Sequence, residues 1–128
     1  MEKEFVPYEL ALELKKLGFF EECLGFYIWQ SWNNNSRLEI GNDDEYACET
    51  IKAPLWQQAF DWFREKNYME GHPYISYNLP PKATWGYSIQ TSEPKYIKSL
   101  NSHYSTYEEA RQACLEKLIE LAKEQNVK

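Results

Sequence analysis

This sequence has no long apolar run; nothing in it approaches the roughly 20 residues a membrane helix needs. Its start, MEKEFVPYELALELKK, is charged and mixed. It lacks the apolar centre of a secretory leader, so the expected location is the cytoplasm. Cysteine is scarce: Cys23, Cys48 and Cys114 are odd in number and far apart, with no C-x-x-C pair. That spacing speaks against a disulfide framework and against a zinc ribbon, and predicts reduced thiols. Histidine is scarcer still, with His72 and His103 alone. No G-x-G-x-x-G, phosphate-binding loop, H-E-x-x-H or G-x-S-x-G stretch occurs. No cofactor, no metal and no enzymatic activity are therefore expected. Clustered Lys and Arg, the footprint of phosphate-backbone binding, are missing too, which disfavours nucleic acid as a partner.

Aromatic residues and acids are what the chain has in plenty. Aromatics make up 16% of its 128 residues, including ten tyrosines and five tryptophans, and the mean hydropathy is still -0.72. A chain of this length can bury roughly 65–70% of its unfolded surface and needs no staple. One domain over residues 1–128 is expected. Residues 1–50 carry 11 acids and 4 bases, while residues 51–128 carry 9 acids and 10 bases. The shift near Ile51 leaves room for a subdomain seam there.

The chain punctuates itself clearly. Pro7 suits a first helical position, Leu10, Ala11, Leu14 and Leu17 repeat at helical spacing, and Gly18 is a stop. GFYIWQSW, Gly25 to Trp32, is aromatic and β-branched and reads as a strand. Phe26 and Ile28 share one of its faces, Tyr27 and Trp29 the other. NNNS turns the chain, RLEI returns as a hairpin partner, and GNDDE is a loop without calcium-loop spacing. In APLWQQAFDWFREK, with Pro54 at the first helical position, Leu55, Trp56, Ala59, Phe60, Trp62 and Phe63 fall within an arc of roughly 160°. That stripe predicts core, with Trp56 or Trp62 the residues most able to stay partly outside. YISYNL, TWGYSIQT and KYIKSL read as three strands. STYEEA offers two overlapping capping boxes, with Thr106 favoured as the cap. Tyr107, Ala110, Cys114, Leu118 and Leu121 predict the buried stripe of the last helix, flanked by Leu115 and Ile119. The expected fold is α+β: a small antiparallel sheet with an N-terminal helix, a central amphipathic helix and a C-terminal helix, in the order α-β-β-α-β-β-β-α.

Helix, strand, strand, strand, helix over residues 51–125 resembles the double-stranded-RNA-binding domain. That resemblance implies RNA contact through the loop NLPPKATW and through bases at the start of the last helix. Here the loop holds only Lys82, and the helix start holds Glu108 and Glu109 instead. Lys82, Lys95 and Lys98 are the bases such a mode can call on. The phrases VPYELALELKKLGF, IKAPLWQQAFDWFREK and TYEEARQACLEKLIEL resemble, in order and spacing, a group of uncharacterised short proteins encoded by phages and prophages of gut bacteria. This resemblance spans nearly the whole chain. It implies a phage-linked origin and action in the host cytoplasm, and it brings no catalytic residue with it.

The aromatic surplus is the functional signal. Tyr and Trp give large contact area at low entropic cost and are enriched where proteins bind. If both later helices cover one sheet face, Tyr27, Trp29, Tyr74 and Tyr96 line the other. A protein partner or a second copy of the chain is the expected occupant. The competing expectation is that the N-terminal helix covers that face. A small enzyme is the remaining alternative, with His72 and His103 placed in loops and a carboxylate such as Glu70 beside them.

Overall fold

The computed structural model describes residues 2–41, 49–79, 82–91, 96–98 and 104–126. The fold is α+β, with helices α1 (Tyr8–Lys16), α2 (Trp56–Lys66) and α3 (Tyr107–Asn126). The strands are β1 (Gly25–Gln30), β2 (Asn35–Ile40), β3 (Thr50–Ala53), β4 (Glu70–Leu79), β5 (Lys82–Gln90) and β6 (Tyr96–Lys98). They form two antiparallel sheets, ordered β2-β1-β3 and β4-β5-β6, rather than the one sheet expected. The chain divides into two compact units, Met1–Ala59 and Phe60–Lys128, with the boundary inside α2. Among the described residues no helix is long and apolar enough to cross a membrane.

In the first unit, Pro7 is the residue before the helix rather than its first residue. Its carbonyl accepts the first helical bond, from Ala11 N–H at 2.9 Å. Gly18 takes a left-handed φ of 103°, as its position predicts. Around it, Gly18 N–H donates to Lys15 O (3.0 Å) and Phe19 N–H to Leu14 O (3.0 Å). This closing pair satisfies carbonyls that the helix end would leave open. β3 is not legible in the sequence, because TIKA is too short for its alternation to stand out. Its Ile51 and Ala53 are buried, and Thr50 and Lys52 are half-buried. β1 is buried from Gly25 through Ile28, so both faces of the sheet are covered along it. α1 covers the face that carries Tyr27, with Tyr8 set edge-on against the Tyr27 ring.

The central helix begins two residues later than expected. Leu55 O accepts from Ala59 N–H (3.1 Å), and Pro54 lies just outside, with its carbonyl taken by Val6 N–H (2.9 Å). The apolar stripe of α2 is buried as its spacing predicts. Trp56, Ala59, Phe60, Trp62 and Phe63 are all in the core, neither tryptophan excepted; only Leu55 stays half-exposed.

In the second unit, β4 starts at Glu70 and not at Tyr74, so His72 and Pro73 are strand residues. The register of β4 on β5 shifts between Ile75 and Tyr77. Gly71 pairs with Ile89, and both side-chain positions lie under α3. A Cβ at Gly71 would meet Cys114 Sγ at 2.8 Å, Leu118 Cδ1 at 3.1 Å and Ile89 Cγ1 at 3.3 Å. The close seating of α3 on the sheet therefore depends on a residue without a side chain. Thr106 is the cap, its Oγ1 accepting from Glu109 N–H at 3.1 Å. The buried stripe of α3 is Ala110, Cys114, Leu115, Leu118, Ile119 and Ala122. Its centre is turned toward Leu115 and Ile119, away from the expected line. Tyr107 lies at the rim, edge-on to Trp85 at 5.4 Å, and Leu121 is half-buried.

Candidate binding surface

The β1–β2 hairpin closes through residues 31–34, with Asn34 at a left-handed φ of 53°. Asn is among the side chains that tolerate this conformation, and Asn33 Nδ2 donates to Gln30 Oε1 (3.1 Å) across the turn. The NNNS run thus has a structural task. It also lifts Trp32 into solvent, where the side chain is 77% exposed. Trp29 is 48% exposed. It is not loose: its ring stacks on Tyr8 of α1 at 5.6 Å and 26° between planes. Tyr8 in turn meets Tyr27 edge-on at 5.6 Å. Two exposed tryptophans thus stand three residues apart at one hairpin end, one of them propped by a tyrosine. Such rings bring large contact area to an interface at little entropic cost.

The four tyrosine and tryptophan positions expected to line one bare face are distributed differently. Tyr27 is buried, and its hydroxyl donates to Val6 O at 2.7 Å. It is a core residue beneath α1, so its place in an exposed surface is corrected. Trp29 lies at the rim of the same face. Tyr74 and Tyr96 belong to β4 and β6, in the other sheet of the other unit. The alternation of a strand shows which side chains share a face, but not which strands share a sheet. That is why the sequence alone groups the four. Trp32 escapes the same reading because there it counts with the strand.

His72, expected in a loop, is an exposed residue within β4 directly opposite Ser88 of β5. Its Nε2 lies 3.2 Å from Ser88 Oγ. Ser88 is only 1% exposed, so this contact satisfies a buried hydroxyl and leaves a substrate little access to Oγ. His103 lies outside the described residues, as do Lys95, Cys48 and most of the GNDDE loop. Lys82 and Lys98 are strand residues of β5 and β6. Among the described residues, no three His, Cys, Asp or Glu side chains gather as a metal ion would require.

A shallow cleft of about 210 Å³ opens at the other end of the first sheet, lined by Glu22, Cys23, Leu24, Gly25, Phe26, Gly41 and Lys52. Burial pushes the Cys23 thiol up to about 11, against the pull of the Lys52 ammonium, and its Sγ donates to Glu21 O (3.4 Å). Burial alone pushes Cys114 up to about 12. Both thiols are protonated near neutrality and are poor nucleophiles. Comparison with protein-family models, with curated proteins and with solved structures found no match for this chain.

Proposed function

We propose that this chain is a non-enzymatic binding protein of phage type whose partner is a protein, from the host or the phage, or a second copy of itself. The observation that carries this reading is the hairpin end of the first unit, where Trp32 is 77% exposed and Trp29, three residues before it, is half-exposed and stacked on Tyr8. A large ring held outward by a turn contributes little to the fold. It gains most when a partner removes it from water, worth about 1.5–3 kcal/mol for a large apolar side chain. The acidity of residues 1–50, with 11 acids against 4 bases, favours a partner that is not a polyanion. The phrase resemblance to phage-encoded proteins supports the host cytoplasm as the place of action.

Affinity capture from bacterial lysate, with and without nuclease, tests this reading. A protein retained after nuclease treatment is the expected result, or, where self-association is the function, a concentration-dependent dimer. Capture that disappears with nuclease would replace the reading with a nucleic-acid one. A monomer that captures nothing would end it.

A further inference from the structure

β2 is an edge strand: in the order β2-β1-β3 no strand lies on its far side among the described residues. The register shows which backbone groups face outward. Gly41 N–H donates to Leu24 O at 2.8 Å, which makes that couple a hydrogen-bonded pair. Such pairs alternate along an antiparallel ladder. With Gly25 opposite Ile40 and the register unbroken to Gln30 opposite Asn35, Asn35, Arg37 and Glu39 bond inward to β1. Ser36, Leu38 and Ile40 then direct their N–H and C=O outward. Consistent with this, the Ser36 N–H is held by Asn35 Oδ1 at 2.8 Å. Side chains divide by the same parity. Ser36, Leu38 and Ile40 lie on the face of Tyr27 and Trp29. Arg37 and Glu39 lie on the opposite face, with Arg37 Nε 2.7 Å from Glu39 Oε1.

We propose that β2 pairs antiparallel with β2 of a second copy of this chain, Leu38 opposite Leu38 across a two-fold axis. The inference rests on the binding reading above and names its partner. Outward groups can bond only to outward groups, so the registers open to two copies differ by two residues. Centring the pair on Arg37 sets Arg37 against Arg37. Centring it on Glu39 sets Glu39 against Glu39. Only the register centred on Leu38 sets each Arg37 against the Glu39 of the other copy. Those couples are then non-hydrogen-bonded pairs, the closer kind, where opposite charges contribute about 0.2–1 kcal/mol each and like charges oppose pairing. The same register puts Ser36 opposite Ile40 of the second copy, whose C=O replaces Asn35 Oδ1 as acceptor of the Ser36 N–H. Trp29, the neighbour of Ser36 on β1, then lies about 10 Å from that Ile40, two strand spacings away. Trp29 and Ile40 are 48% and 57% exposed, and the small serine between them leaves room for both to close over it. The contact is isologous, as a two-fold dimer requires.

Sedimentation velocity of the full chain across a concentration series is the test. A monomer–dimer equilibrium is expected. Arg37→Glu alone and Glu39→Arg alone should each raise the dissociation constant about tenfold or more. An equal mixture of the two single variants should recover a mixed dimer, because positions 37 and 39 then face each other with opposite charges at both ends of the pair. That recovery also shows that both variants fold. The double variant Arg37→Glu/Glu39→Arg should dimerise like the parent. A parent chain that stays monomeric overturns the inference. A dimer indifferent to either single reversal also overturns it, since another surface then makes the contact while the broader binding reading stands. That broader reading falls separately, when the monomer also captures nothing from lysate.

Discussion

The two sheets treat their edges differently. In the second unit β4 is an edge strand carrying Pro73, which has no N–H to offer, and a register shift between Ile75 and Tyr77. β6 on the other edge is only three residues long. Prolines, irregularities and short strands are the usual means of keeping a sheet from pairing with a neighbour. In the first unit β2 has none of them: six residues pair with β1 in unbroken register. Its two charges, Arg37 and Glu39, are of opposite sign and so invite a copy of the same strand in one register. The apolar side chains follow the same division. The second unit draws Cys114, Leu118 and Ile89 together over Gly71. The first leaves Phe20, Leu24, Trp29, Trp32 and Ile40 substantially exposed. The second leaves fewer exposed, Tyr68, Ile75 and Tyr107, so the first presents the more apolar surface among the described residues.

The sharpest way to break that comparison is to weaken the packing of the second unit. Leu118→Ala or Phe60→Ala should cost about 2–5 kcal/mol in denaturant unfolding, since both side chains are buried. A mild loss at Phe60 would mean that the α2 stripe faces a partner rather than the core. Next in size is Gly71→Ala. The added methyl overlaps Cys114 Sγ at 2.8 Å and should cost about 1–3 kcal/mol. A neutral result would show that α3 sits farther from Gly71 than this contact requires.

The buried thiol of the second unit gives a pH dependence. Unfolded, Cys114 titrates near 9.0; folded, burial pushes it up to about 12. A raised acid keeps its proton in the fold, so the unfolded state binds fewer protons above 9. The stability it supports is complete below that value. It is lost as pH rises toward 12, by at most about 1.4 kcal/mol per pH unit. Unfolding midpoints of the parent and Cys114→Ala between about pH 8 and pH 11 should show a steeper alkaline decline in the parent. Equal slopes would contradict the assignment. Smaller still is Thr106→Ala, about 1 kcal/mol for the loss of the Oγ1 contact to Glu109 N–H.

Much of this fold is legible in the residues. The Gly18 stop, the α2 stripe and the Thr106 cap follow from local chemistry, where spacing and side-chain type decide the outcome. What stays hidden is non-local. Gly71 signals nothing until α3 lies over it. The His72–Ser88 contact exists only because β4 starts four residues earlier than YISYNL suggests, Glu70 pairing with Gln90. The binding surface is half-legible. The excess of Trp and Tyr announces that some rings must remain outside. Which ones depends on α1 lying over Tyr27 and on a turn that directs Trp32 outward, and neither is written in the alternation of β1.

The most direct test pairs stability with capture for one residue of the presented surface. Trp32→Ser should change the unfolding free energy by less than about 0.5 kcal/mol, as exposed positions do, and should abolish or sharply reduce capture of the nuclease-resistant partner. Unchanged capture at unchanged stability would contradict the claim that the first unit binds through its hairpin end.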